Sequence, residues 1–161
     1  VYAAKIVDMV ATAGVTISVN AHINLVCSAR LDREPRRRGI ARVKELLIRG
    51  ANVVTSQDDV NDPYYPFGKP DPLECVSMIA HVAQLTLPHE LEQAMSMVTE
   101  NAAKAARIDD YGIAAGKRAD LVVVGAPSVH EAIRLQPLRR HVIKGGREVA
   151  RSVVSQELLK S

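Results

Sequence analysis

The chain has 161 residues, a net charge of +3, and 47 % hydrophobic and 24 % charged residues. This length allows one sizeable core, and the balance is that of an ordinary globular protein. The net charge is too small to predict nucleic-acid binding, and the one dense basic patch, residues 33–39, is interpreted as a solvated loop. The longest apolar runs are too short to span a bilayer, so no membrane association is expected.

The two cysteines, Cys27 and Cys75, lie far apart and form no C-x-x-C pair. They predict neither a disulfide framework nor a cysteine-rich zinc site, and both are expected to be buried. This cysteine usage fits a reducing, cytoplasmic setting.

The first third of the chain alternates helix and strand. Residues 2–14 have the apolar spacing of an amphipathic helix, and residues 15–19 predict a short buried strand. A polar loop follows over residues 20–38, then a second helix over 39–50 and a second strand over 52–56. A crossover helix between two apolar strands predicts that the strands are parallel neighbours.

The ends of these two strands form the first candidate site. Ligands of parallel α/β folds bind beyond the carboxyl ends of the strands. The first predicted strand ends at Asn20, and the second ends at Gln57, Asp58 and Asp59. We therefore expect these residues to face the same mouth.

Three further helices are predicted after the acidic segment. Asp71 and Pro72 are typical N-cap and first-turn residues of a helix that runs to about Gln84. Pro88 begins the next helix, and Thr99 is expected to cap a short alanine-rich one.

The last part of the chain is predicted to be mainly β-structure. After Tyr111 come a strand, a short helical segment and a hairpin whose turn is Gly145–Gly146. Three strands make a thin sheet that is expected to need further strands. The two parallel strands also have edge groups to satisfy, so we expect either an N-terminal portion before this chain or a partner chain.

The segment after the second strand combines acids with aromatic rings. Asp58 and Asp59 end the strand, and the following loop holds a third acid, Asp62, with three of the five aromatic residues: Tyr64, Tyr65 and Phe67. An acid in this place is typical of a metal ligand or a general base. The alternative is a turn or N-cap role, which is favoured for Asp62.

The five histidines supply no obvious metal site. His22 follows the first strand and is a weaker candidate for the same mouth. His81 is predicted to be a satisfied core or interface residue, His89 to be exposed, and His130 and His141 to belong to the terminal β-part. The chain contains no H-x-H, H-E-x-x-H or P-C-x-x-C motif. Because a transition metal needs three or four ligands, most ligands of any bound metal are expected outside this chain.

Two stretches resemble the metal-dependent amidohydrolase superfamily. The segment "RRRGIARVKELLIRGANVVTSQDDVNDPYYPFG" resembles the last barrel βαβ segment of bacterial-type cytosine deaminase. The segment "VTENAAKAARIDDYGIAAGKRADLVVV" resembles the passage from the barrel of that superfamily into its small β-sandwich. The resemblance extends over residues 2–149. The loop pattern DDVxDPxYPxG at residues 58–68 is fairly specific to the cytosine deaminase branch. The second stretch is specific only to the superfamily.

The resemblance implies an α/β fold. This chain would be the C-terminal portion of a (β/α)8 TIM barrel, with residues 15–19 and 52–56 as its last two strands. Residues 1–110 would belong to the barrel. Residues 111–161 would supply the C-terminal strands of a composite β-sandwich domain.

The resemblance also implies a site and a reaction. Asp58 falls on the family's final metal-ligand position, where the carboxylate binds one divalent ion, Fe or Zn, and takes the proton of the attacking water. Asp59 matches an acid beside the pyrimidine, Tyr64 an aromatic residue beside the substrate, and Asn20 is a weaker substrate-lining residue. The implied reaction is hydrolytic deamination of a cytosine-like pyrimidine base with release of ammonia, in a homo-oligomer.

Three departures leave other functions open. Gln57 stands where the family usually has His, Ala21 where it has Pro, and Tyr64 where it has Trp. A second hypothesis is therefore an amidohydrolase of another cyclic amidine or amide, such as a triazine. A third is a non-catalytic fragment or subunit. Since the family's other metal and substrate residues precede this part, the isolated chain is predicted to be inactive.

Overall fold

The computed structural model describes residues 2–153, 155 and 157–158, and it divides into two compact units, one up to Asp109 and one from Asp110 onward. The first unit contains, in chain order, α1 (Tyr2–Thr12), β1 (Ile17–Val19), α2 (Ala21–Cys27), α3 (Val43–Ile48), β2 (Val53–Thr55), α4 (Pro72–Val82), α5 (Pro88–Ser96) and α6 (Glu100–Ala105). The second contains β3 (Leu121–Val124), α7 (Val129–Leu135), β4 (Arg139–Lys144) and β5 (Arg147–Arg151).

The two strands of the first unit are parallel neighbours, as predicted. Ile17 pairs with Val53, and Val19 pairs with Thr55. The hydroxyl of Thr55 also donates to the backbone oxygen of Val19 at 2.8 Å, which ties the carboxyl ends of the strands together. Both strands therefore end at the same side of the sheet.

The outer edge of β2 is bonded within the chain. Asn101 donates its side-chain amide to the backbone oxygen of Val53 at 2.9 Å, and the backbone N–H of Thr55 donates to the oxygen of Met97 at 3.4 Å. In a parallel strand these groups point away from the β1 partner. The α5–α6 junction therefore satisfies these two edge groups of β2.

The core of the first unit lies between β2 and the helices after it. Its most deeply buried apolar side chains are Val19, Val53, Val76, Ile79, Leu85 and Met97. The start of α4 is as predicted, since the Asp71 carboxylate accepts the backbone N–H of Leu73 at 3.0 Å and Pro72 follows it. This cap fixes where the chain re-enters the core after the acidic segment.

Two element predictions were wrong in extent. The predicted polar loop after β1 begins instead with the helix α2, which packs on α4 and buries Ala21 and His22. The predicted helix over residues 39–50 is shorter, because α3 keeps only the turns whose apolar residues, Val43 and Leu46, are buried.

Three single-residue predictions also differ from the structure. Cys27 ends α2 on its solvent side and is exposed, whereas Cys75 is buried as expected. His81 is exposed, with Nδ1 2.7 Å from the backbone oxygen of Ser77, and is not a core residue. The Thr99 side chain does not cap α6, because its hydroxyl donates back to the oxygen of Met95 at 2.9 Å.

The second unit is an antiparallel sheet in the order β3-β4-β5. Gly145 and Gly146 form the predicted hairpin turn with φ of +56° and +76°, a backbone that residues with side chains rarely adopt. The Ser128 hydroxyl caps α7 by accepting the N–H of Glu131 at 3.2 Å. Among the residues described in both units, no helix is long and apolar enough to cross a membrane.

Candidate active site

Four polar side chains connect the carboxyl ends of β1 and β2. The amide nitrogen of Asn20 donates to Oδ2 of Asp58 at 3.1 Å. The hydroxyls of Ser18 and Ser56 donate to Oδ1 of Asn20 at 2.8 and 2.9 Å. The structure thus brings together Asn20 and Asp58, 38 positions apart in the chain.

The chemistry of this network fixes how Asn20 is oriented. An ionised carboxylate only accepts hydrogen bonds, so the NH2 of Asn20 must face Asp58. Its carbonyl oxygen then faces the two serine hydroxyls, both of which can donate. Asn20 therefore holds one oxygen of Asp58 in place, while the other has no hydrogen-bond partner among the described residues.

The backbone of Asp58 is in an uncommon conformation. Its φ is +77°, in the left-handed region that non-glycine residues rarely occupy. Such strain persists where the surroundings hold a residue in place, and it is concentrated at functional sites. Here the turn directs the exposed Asp58 side chain toward Asn20 and away from the buried Gln57 before it.

The next acid, Asp59, lies among other carboxylates. Its side chain is half-buried, and burial raises its pKa above the usual range, followed by repulsion from Asp62 and Asp58. A carboxyl group in these surroundings takes up a proton more readily than an isolated aspartate does. Asp59 is therefore suited to exchanging a proton with a bound molecule.

Asp62 is a turn residue, as predicted. Its Oδ1 accepts the backbone N–H groups of Tyr64 and Tyr65, both at 2.8 Å. The two tyrosines then point to different surroundings: Tyr64 is 65 % exposed and Tyr65 is 6 % exposed. Tyr64 is thus available to cover a ligand, whereas Tyr65 anchors the segment.

His22 lies beneath this segment and does not open toward the mouth. Its side chain has no exposed surface, and Nε2 is 3.7 Å from Oε1 of Glu74. Burial lowers the pKa of His22, against the opposing effect of the Glu74 carboxylate. His22 therefore belongs to the interior of the first unit.

A cavity of about 370 Å³ opens beside Asp58. It lies between the end of β2 and the helices α4 and α6, with Thr55, Cys75 and Ala102 in its wall. Burial raises the pKa of the Cys75 thiol to about 11, so this cysteine is not a nucleophile at neutral pH. The cavity is of a size that small molecules occupy in proteins.

The described residues supply only part of a metal site. No three His, Cys, Asp or Glu side chains within the described part of the chain come together in a group that could hold a metal ion. Asp58 fits one ligand position, since it is a carboxylate oriented by Asn20 at the end of a parallel strand. The other positions would have to be filled from outside these residues.

Several residues of this region were not identified from the sequence. Ser18 and Ser56 each stand two positions before a predicted site residue, and the alternation of side chains along a strand could have indicated a shared face. Gln57 and Tyr65 gave no such signal, because their burial depends on how the loop folds back.

The sequence of the chain is similar to one protein family and to two known enzymes. The family model described as "Amidohydrolase family" matches residues 2–150. The pterin deaminase of Rhizobium rhizogenes is 33 % identical over 153 residues, which is 94 % of this chain and 35 % of that protein. The N-isopropylammelide isopropyl amidohydrolase of Pseudomonas sp. is 34 % identical over 70 % of this chain and 28 % of that protein. The chain spans about a third of these relatives.

Two solved enzyme structures contain a region with the same fold as this chain, which covers a little over a third of each. The 5-methylcytosine deaminase of Klebsiella pneumoniae, liganded with 5-fluorocytosine, has a TM-score of 0.91 and 29 % identity, over 98 % of this chain and 38 % of that one. The N-isopropylammelide isopropylaminohydrolase of Burkholderia multivorans has a TM-score of 0.79 and 31 % identity, over 92 % of this chain and 35 % of that one.

Proposed function

This chain belongs to the amidohydrolase family, and from this premise we propose that it is the C-terminal part of a metal-dependent enzyme that deaminates a cytosine-like pyrimidine base and releases ammonia. In this proposal β1 and β2 are the last two strands of a (β/α)8 barrel, to which residues 1–110 belong. Residues 111–161 supply strands to a small β-sandwich. The whole enzyme is a cytoplasmic homo-oligomer.

The observation that carries the proposal is the hydrogen bond between Asn20 and Asp58. It joins an acid and an amide at the carboxyl ends of two parallel strands, which is where catalytic groups of barrel enzymes lie. The TM-score of 0.91 to a 5-methylcytosine deaminase over 98 % of the chain supports the same substrate class.

The side chains of this segment have separate roles in the proposed reaction. A bound divalent ion, Fe or Zn, would acidify a water molecule, and Asp58 would be one of its ligands. Asp58 would also hold the proton taken from that water on its carboxylate. Asn20 would keep the Asp58 carboxylate in position for these two roles and would lie beside the base.

Asp59 and Tyr64 are assigned to the substrate. Asp59, whose pKa is raised by burial and by its acidic neighbours, would pass a proton to the ring or to the leaving nitrogen. The proton that Asp58 takes from water would replace it, and the C–N bond would break as ammonia leaves. The exposed ring of Tyr64 would cover the flat face of the base, a contact that suits aromatic molecules. Asp62 and Tyr65 stabilise the conformation of this segment, Asp62 through hydrogen bonds to the backbone and Tyr65 through its buried ring.

A second candidate function is hydrolysis of another cyclic amidine or amide, such as a triazine. The identity to an N-isopropylammelide isopropyl amidohydrolase, 34 %, is as high as that to the pterin deaminase. Two residues depart from those usual in cytosine deaminases and would change the substrate of this site: Gln57, which directly precedes Asp58, and Tyr64, which is assigned to the substrate.

The proposal is tested on the full polypeptide that contains this chain. The purified protein is incubated with cytosine, 5-methylcytosine, a pterin and aminotriazines, and ammonia release is measured with the metal content. We expect turnover of a pyrimidine and loss of turnover by about a hundredfold or more in Asp58→Asn, since a positioned acid–base group contributes that much.

Asp32→Asn is the matched control, because Asp32 is an exposed aspartate whose carboxylate pairs with Arg37. It should keep both metal and activity. Preferred turnover of an aminotriazine would replace the first function by the second. An active Asp58→Asn enzyme with full metal content would contradict the role given to Asp58.

A further inference from the structure

The segment 58–68, here called the acidic loop, rests on two buried polar side chains. His22 comes from the start of α2 and is 1 % exposed; Gln57 directly precedes the loop and is 5 % exposed. We call these two residues the loop floor. Tyr65 is the loop residue that seals them, and its ring is 6 % exposed.

Tyr65 contacts the floor and the rest of the loop through its ring. It stands edge-on to the imidazole of His22, with ring centroids 5.8 Å apart at an interplanar angle of 80°. On the loop side it is edge-on to Phe67, at 5.7 Å and 81°. Edge-on pairs of this kind are favourable contacts, so Tyr65 connects the loop to α2.

The far end of the loop closes on the same place. Gly68 has φ of +84°, and a β-carbon there would lie 2.8 Å from Cε1 of Tyr65 and 3.1 Å from both polar atoms of the Gln57 amide. Contacts this short are not tolerated, so only glycine lets the loop lie this close to the floor. Both ends of the loop therefore meet at Gln57.

The loop is bonded internally, as a compact unit. The N–H of Asn61 donates to the oxygen of Phe67, and the N–H of Asp62 donates to the oxygen of Tyr65, both at 3.1 Å. The residues at its two ends, Asp58 and Gly68, both have positive φ. Loops that open and close do so through a few residues at their ends, whose φ and ψ angles change.

The side chains of the loop floor find no hydrogen-bond partner within the described part of the chain. Neither ring nitrogen of His22 and neither amide atom of Gln57 has a hydrogen-bond partner among the described residues. The carboxylate of Glu74 lies close by, with its Oε1 3.7 Å from Nε2 of His22, beyond hydrogen-bond distance. Polar groups buried in this way disfavour the closed arrangement, and they regain hydrogen bonds when water reaches them.

We propose that His22 and Gln57 are positioning residues that set how often the acidic loop lifts, acting through Tyr65. When the loop is closed, it seals two polar side chains that lack partners. When it lifts, water can form hydrogen bonds with both side chains. These hydrogen bonds offset the free-energy cost of exposing the Tyr65 ring to solvent. That the movement admits substrate beside Asp59 and Tyr64 rests on the function proposed above; the movement itself does not.

The experiment uses a histidine reagent, diethyl pyrocarbonate, on the full polypeptide at neutral pH, with the modified residues quantified by mass spectrometry. His22 reacts only when the loop lifts, whereas the exposed His81 on α4 reacts directly and serves as the internal reference. The measured quantity is the ratio of the His22 rate to the His81 rate. No substrate is needed, so a failed functional proposal leaves the result interpretable.

Gln57→Met fills the same space without polar atoms. Because the closed loop then seals fewer unpartnered groups, the ratio should fall by about fivefold or more. Gln93→Met, on the exposed face of α5, is the matched control and should leave the ratio unchanged. A purely structural role for Gln57 predicts a lower melting temperature and a higher ratio. An unchanged or raised ratio in Gln57→Met would overturn the proposal.

Gly68→Ala acts in the opposite direction, because its β-carbon pushes against Tyr65. The ratio should rise. Gly116→Ala is the matched control, since Gly116 has the same φ of +84° but open space around it. If Gln57→Met does not fold, this comparison decides alone: equal ratios in Gly68→Ala and Gly116→Ala would refute the closed contact on which the proposal depends.

Discussion

At the scale of single residues, Asp58 is positioned by its neighbours on both sides. Asn20 holds its carboxylate from the end of β1, and the positive φ of Asp58 turns the chain away from the buried Gln57. In the proposed reaction Asn20 acts through Asp58, and Gln57 has no need to touch the substrate. Hydrogen bonds to charged groups contribute more than those between neutral groups, so the contact with Asn20 should be measurable in turnover.

The first prediction concerns Asn20→Ala. The substitution frees the Asp58 carboxylate, so kcat/KM should fall by about tenfold or more, in line with the loss of one charge-assisted hydrogen bond. Asn24→Ala on α2 is the control and should have wild-type kinetics. Steady-state kinetics on the full polypeptide provide the measurement; equal kcat/KM in both variants would contradict a positioning role for Asn20.

The position of a residue relative to the end of a predicted strand was enough to predict which residues come together at the site. Asn20 and Asp58 were expected to face one mouth because each follows a strand, and they are hydrogen-bonded. The buried places of His22 and Gln57 were not predicted, because they depend on α2 and on the return of the loop at Gly68. Which polar residue a loop buries is decided by tertiary contacts.

At the scale of elements, the segment around the start of α6 is hydrogen-bonded to β2 and to the residue before it. Asn101, on α6, donates to Val53 in β2, and Asn52 donates to the backbone oxygen of Asn101 at 3.1 Å. The start of α5 is connected to α3 through the side chain of Glu90. Glu90 accepts the N–H groups of Thr86 and Leu87 at 2.7 and 2.9 Å, and it pairs with Lys44 at 2.7 Å.

The second prediction concerns acid stability at this helix start. The backbone N–H of Leu87 first, and then Lys44, lower the pKa of Glu90 to about 2 from an unperturbed value of 4.5. Because the folded pKa lies below the unfolded one, the stabilisation is complete above pH 4.5 and is lost as the pH falls toward about 2.

Glu90→Gln should therefore flatten the fall of the melting temperature between about pH 4.5 and 2.5. Glu92→Gln, at an exposed position of the same helix, should keep the wild-type profile. Thermal melts at a series of pH values make the comparison. The same acid sensitivity in Glu90→Gln and the wild type would show that the contact does not stabilise α5.

At the scale of the whole molecule, the chain spans about a third of its relatives, and the proposed function gives a metal-binding role to Asp58. The described residues bring together no complete group of metal ligands. A single carboxylate does not retain a transition metal, since three or four ligands are needed. Activity should therefore depend on residues beyond those described.

The third prediction follows from that incomplete ligand set. The isolated 161-residue chain, supplied with Fe²⁺ or Zn²⁺, should release no ammonia from any base in the panel. The full polypeptide should lose activity on treatment with a chelator and regain it when one of the two ions is returned. Metal analysis alongside the ammonia assay provides the measurement, and metal-dependent turnover by the isolated chain would contradict it.

The sequence by itself determined the α/β pattern, the parallel strand pair, the hairpin at Gly145–Gly146 and the segment that holds the candidate site. These depend on apolar periodicity and turn residues, which act locally. Only the tertiary structure decided that Asn101 bonds the edge of β2 and that the acidic loop closes on His22 and Gln57. Those contacts join residues far apart in the chain, and no local pattern specifies them.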